Sequence, residues 1–75
     1  MKITGTSSYI LLDLEGKILK ASGEMIVGGF VADKSSMTHF EPPYENELLT
    51  ANTKQIYIDA AIAKTKNSHM VITFV

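Results

Sequence analysis

Two histidines, eight carboxylates and no cysteine make up the reactive side chains of this 75-residue chain. His39 stands two residues before Glu41, Glu45 and Glu47 follow at short spacing, and Asp33 lies upstream. A histidine among carboxylates has the donor types for a divalent cation or an acid–base pair. The spacing matches no metal-binding or catalytic motif, and the plainer reading is a solvated acidic loop. A third reading is an acidic docking surface that steers a basic partner. His39 and His69 each stand beside an expected strand, where histidine serves as a polar strand end. No serine lies in a nucleophile-elbow pattern. Gly23-x-x-x-x-Gly28-Gly29-Phe30 lacks the Lys-Ser/Thr ending of a phosphate-binding loop, so its glycines are assigned to strand geometry. Without cysteine there is no zinc–thiolate site, iron–sulfur cluster, thiol nucleophile or disulfide. No catalytic residue, metal or cofactor is expected, and the chain does not read as an enzyme.

Phe40, Pro42, Pro43 and Tyr44 are interleaved with the glutamates. Aromatics beside prolines either anchor a loop in its own core or present binding groups on a stiffened one. The overall charge of −1 conceals a segregation: residues 38–49 carry three glutamates and no lysine. All seven basic residues are lysine. Without arginine, the preferred partner of phosphate and guanine, nucleic acid is not expected as a ligand. No apolar run is long enough to span a membrane, and the first residues lack the apolar stretch of a signal peptide. A cytoplasmic protein is expected, of one domain over residues 1–75. The 45% hydrophobic content is too high for intrinsic disorder.

These side chains need elements to hold them. Tyr9 to Leu14 and Lys17 to Ser22 flank Glu15-Gly16, which predicts a β-hairpin with a two-residue turn. That turn pairs Leu14 with Lys17, Leu12 with Leu19 and Ile10 with Ala21. The core face then holds Ile10, Leu12, Leu14, Leu19 and Ala21, because burying the other face would strand Asp13 and Lys20. Gly23 is read as a break. Met25 to Ala32 is apolar on both faces and reads as an interior strand, with Gly28-Gly29 marking a bulge or close approach. Met37 to Phe40 is a candidate fourth strand, ended by Pro42-Pro43. Thr50 is a candidate N-cap for a helix over Ala51 to Lys66, with Ala51, Ile58, Ala61, Ile62 and Thr65 on one face. Met70 to Val75 reads as a buried last strand. The expected fold class is α+β: a single antiparallel-rich sheet in the order ββββ-α-β, with one helix packed on one face.

One helix covers only one face of such a sheet. The strand pattern and a second helical stripe of Ile56, Ala60 and Ala63 supply more apolar surface than that helix can cover. Loops cover the surplus, or a partner does.

The stretch Phe40-Glu41-Pro42-Pro43-Tyr44-Glu45-Asn46-Glu47, set after a glycine-broken strand and before a helix and terminal strand, resembles the immunity protein 74 family of bacterial polymorphic-toxin systems. Gly23-Glu24 resembles the family's early Gly-Glu step. The aromatic position, associated with tryptophan, holds Phe40 here after His39, and the helix is richer in alanine. The resemblance implies a non-enzymatic protein that binds and neutralises a cognate secreted toxin, with no catalytic residues to carry over. The candidate partner-binding residues are His39, Phe40, Glu41, Tyr44, Glu45 and Glu47, on an acidic surface suited to a basic toxin such as a nuclease. The alternative is a small homodimeric structural or interaction protein, a role compatible with the first.

Overall fold

A computed structural model describes residues 1–75. Five strands form one sheet: β1 (Lys2–Gly5), β2 (Tyr9–Leu14), β3 (Lys17–Ile26), β4 (Gly29–Ala32) and β5 (Val71–Phe74). A 3₁₀ turn, Lys34–Ser36, and a helix, α1 (Ala51–Thr65), lie between β4 and β5. The spatial order is β1-β2-β3-β4-β5. The first three pairings are antiparallel, and β4 pairs with β5 in parallel. Parallel neighbours need a long crossover, and α1 supplies it. The α+β class, the antiparallel-rich sheet and the helix before the last strand agree with the sequence reading.

The β2–β3 register has Leu14 opposite Lys17, Leu12 opposite Leu19 and Ile10 opposite Ala21, as the turn dictates. Glu15 and Gly16 adopt φ 54° and 88°, the left-handed pair of a type I′ turn. The twist of that turn matches the twist of the strands it joins. Ile10, Leu12, Leu19 and Ala21 are buried, and Leu14 packs against the core from its margin. Phe30, Ala32, Met37, Phe40, Tyr57, Ile58, Ala61 and Ile72 complete that core.

Several elements differ from expectation. Lys2–Gly5 is a strand; it is short, and only Ile3 is apolar, so it carries little hydrophobic pattern. Gly23 lies within β3, which runs on to Ile26. Met25 to Ala32 is therefore not one interior strand. It is a second hairpin, Ile26 opposite Gly29, turning at Val27-Gly28 with Gly28 at φ 80°. Met37 to Phe40 is not a strand, and only Phe40 makes an isolated bridge, to Leu19. Ser36 instead turns the chain toward β3, accepting the Ser22 N–H at 2.8 Å.

The helix begins as predicted: the Thr50 hydroxyl accepts the Thr53 N–H, satisfying one of the free donors of the first turn. Its buried face is Tyr57, Ile58, Ala61 and Thr65. Ala51 and Ile62, expected on that face, are exposed. Tyr57 takes the inward position because its hydroxyl finds a partner, the Lys17 carbonyl at 2.8 Å.

Candidate functional site

Residues 38–48 run along the free edge of β3 beyond the end of β4. Phe40 bridges Leu19, and the Glu41 N–H donates to the Ile18 carbonyl at 2.8 Å. The chain then turns at a cis Pro42–Pro43 bond, closed by the Tyr44 N–H on the Glu41 carbonyl at 3.0 Å. A second turn follows, in which the Glu47 N–H donates to the Tyr44 carbonyl at 3.0 Å. The loop is thus braced by β3 at its start and by its own backbone after that.

Lys17 fastens its far end. The Lys17 ammonium donates to Glu47 Oε1 at 2.6 Å, and lies 5.3 Å from the centroid of the Tyr44 ring and 5.9 Å from that of Phe40. Phe40 and Tyr57 pack at 6.0 Å with their rings tilted by 59°, a favourable aromatic geometry. Tyr57 also fixes the backbone of Lys17 through its hydroxyl, so helix, hairpin and loop meet at this lysine. Direct hydrogen bonding to Glu47 holds the Lys17 amine above its ordinary range, against a smaller desolvation. Burial pushes the Tyr57 phenol up.

Both shifts act in one direction on stability. A group whose pKa rises on folding contributes fully below its unfolded value and loses that contribution as pH climbs through the folded one. The urea midpoint is therefore expected to hold up to about pH 10 and to fall above it. In Tyr57→Phe, which lacks the titrating phenol, the fall should be shallower; an identical alkaline limb would refute this account.

The six residues nominated from the sequence fall into two pairs and two single residues. His39 and Glu41 face each other, Nε2 to Oε2 3.8 Å, while the Thr38 hydroxyl holds His39 Nδ1 at 2.9 Å. Together with Lys20, Ser22 and Ser36 they line a recess of about 310 Å³ that no hydrophobic residue borders. Tyr44 and Glu47 gather on Lys17 at the other side of the loop. There a cavity of about 300 Å³ is bordered by Leu14, Leu48, Ile56 and Tyr57 as well as Lys17 and Glu47. Phe40 is 2% exposed and belongs to the core. Glu45 is exposed and lines neither recess. The loop is therefore less negative than its composition, because Lys17 neutralises Glu47.

Lys17 was not nominated from the sequence. Its only signal is its place opposite Leu14 after the turn, and nothing local links it to a glutamate 30 positions away. Leu48, 82% exposed beside the half-exposed Ile56, is a second feature that spacing did not show. No three His, Asp or Glu side chains gather in a way that would hold a metal ion. No helix is long and apolar enough to cross a membrane.

The family model for immunity protein 74 matches residues 2–75. The chain belongs to the immunity protein 74 family. No curated protein and no solved structure matches it. Both segments that resemble immunity protein 74 have structural roles here. Gly23-Glu24 lies where β3 passes from β2 to β4, and the aromatic-Glu-Pro-Pro segment is the loop fastened by Lys17. Membership identifies an immunity protein, a class defined by a toxin as partner.

Proposed function

We propose that this protein binds and neutralises a cognate bacterial toxin without catalysing a reaction, and that the loop from His39 to Glu47 is its docking element. The observation that carries this reading is a loop anchored by buried Phe40 and the Lys17–Glu47 pair, yet presenting His39, Tyr44 and Glu45 to solvent. Such a loop loses little conformational freedom on binding. Glu41 and Glu47 border the recesses on its two sides, and Leu48 and Ile56 add an apolar ledge. An aromatic and an apolar ledge beside carboxylates suit a basic surface with an apolar centre.

The reading is tested by titrating the protein with the toxin encoded by the neighbouring gene. A complex that silences the toxin is expected; no complex, or a bound toxin that stays active, removes the proposal. Glu45→Lys reverses a charge without disturbing the Lys17 pair. It should slow association roughly threefold at low salt and have little effect at high salt. Equal rates at low salt would exclude the loop as the docking surface while leaving neutralisation intact.

A second reading, that the chain also pairs with a copy of itself, is favoured by its exposed apolar side chains. Ile26 is 51% exposed, Val27 fully so, and Met25, Met70 and Val71 about 40%. These cluster where the β3–β4 hairpin meets the start of β5, and they are more concentrated than scattered surface aliphatics.

A further inference from the structure

The cavity of about 300 Å³ beside Lys17 has a border that the loop alone does not supply. Glu15, from the β2–β3 turn, lines it together with Glu47, while Leu14, Leu48 and Ile56 give it apolar sides. Lys17 is the only basic residue on its border. The two carboxylates are not equivalent. Glu47 is bound to the Lys17 ammonium, whereas Glu15 is in neither of the two ion pairs of the molecule. Asp13 steadies the turn that carries Glu15, since its Oδ1 accepts the Gly16 N–H at 2.9 Å. The excess charge around the cavity is negative. Burial is the first cause that raises the Tyr57 phenol, Lys17 opposes it, and Asp13, Glu47 and Glu15 all raise it further. Three carboxylates thus act on that hydroxyl against one ammonium.

We propose that this cavity receives one arginine side chain of the toxin, an assignment that deepens the docking reading and rests on it. Charge complementarity selects a cation, because a neutral or negative group there would take water from Glu15 without replacing it. The volume stands at the lower end of the range of small-ligand sites, about 300–1,000 Å³, which suits a single side chain. Apolar sides match a methylene stem, and carboxylates on the border match a charged head. Lys17 decides between the two basic residues, because an entering cation comes to lie near its ammonium. A guanidinium spreads its charge over a plane and is more weakly hydrated than an ammonium. Its five donors can engage Glu15 together with the Glu47 oxygen that Lys17 does not hold. A lysine would instead bring a second compact charge beside the first.

Binding is read by amide-resolved NMR of the full chain, with N-acetyl-arginine amide, N-acetyl-lysine amide and N-acetyl-norleucine amide as probes. Arginine amide is expected to shift the signals of Glu15, Gly16, Leu48 and Ile56, lysine amide to do so more weakly, and norleucine amide to leave them in place. Glu15→Gln removes the unpaired charge and should weaken arginine amide roughly threefold. Leu48→Lys sets a competing cation on the border and should weaken it by a similar factor. Both side chains are exposed, so neither change touches the core. No shift with any probe would overturn the site. Norleucine amide bound as well as arginine amide would overturn the charge selection, and equal binding of lysine amide would overturn the choice of arginine. The same two variants should weaken the toxin complex. A complex indifferent to both would overturn the cavity as an anchor while neutralisation stood. Arginine amide bound selectively by a protein that captures no toxin would instead remove the docking reading, and with it the toxin as the source of the arginine.

Discussion

Phe40→Ala is expected to lower the unfolding free energy by about 3–5 kcal/mol, the usual range for removing a buried aromatic ring. A chain of this length has only about 4–11 kcal/mol in total, so the variant should stand near the limit of folding. The ring is 2% exposed, packs on Tyr57 and carries the bridge to Leu19. Its removal opens a cavity beneath the loop and frees the segment that Lys17 holds from above. On the docking role proposed for the loop, toxin binding should weaken with stability, because the exposed loop groups lose their fixed positions. Phe40→Leu, which keeps most of the volume, should recover a good part of both. A urea midpoint in Phe40→Ala close to wild type would show that Phe40 is not the support described.

Gly23→Ala is the second large effect expected, a loss of about 1–3 kcal/mol from overpacking. Gly23 lies opposite Ala32 on the core face. A methyl group there would run into the Val31 carbonyl oxygen and approach Phe30 Cε1 to 2.7 Å. A side chain can rotate away, but a carbonyl held in the β3–β4 ladder cannot. Phe30→Leu in the Gly23→Ala background should therefore fail to restore the midpoint in chemical denaturation. Recovery in the double variant would place the conflict on the ring instead. A methyl here also strains the point at which β3 changes partners, which accounts for the glycine of the Gly-Glu step.

The sequence was most informative where a local rule fixes geometry. The Glu15-Gly16 turn determines the β2–β3 register residue by residue, and Thr50 caps the helix where expected. It was least informative where a pattern has two physical solutions. Met25 to Ala32 is a continuous apolar run, and a run of that kind is equally an interior strand or two short strands about a glycine turn. Tertiary pairing chose the turn, leaving Val27 fully exposed at its tip. Lys2–Gly5 escaped notice because an edge strand of this length needs little apolar pattern. At the candidate site, the loop residues could be nominated from their types and spacing, but their grouping could not. His39 and Glu41 separate from Tyr44 and Glu47 because Lys17, distant in sequence, draws the latter two to its side of the loop. Tyr57 displaces Ile62 from the helix's inner face for a similar reason, a hydrogen bond to a carbonyl on another element.

The parallel pairing of β4 with β5 also has a kinetic consequence. The first four strands form a meander of nearest-neighbour hairpins, each closed over a few residues. Joining Gly29 to Val71 means closing a loop of about 40 residues, which includes the whole helix. Such distant contacts are made late in folding and are slow relative to local ones. The meander can assemble first as a half-formed sheet with β4 exposed, and the helix and β5 then arrive together to seal it. Amide exchange in the native state should accordingly show α1 and β5 opening as one unit, at lower free energy than the β2–β3 hairpin.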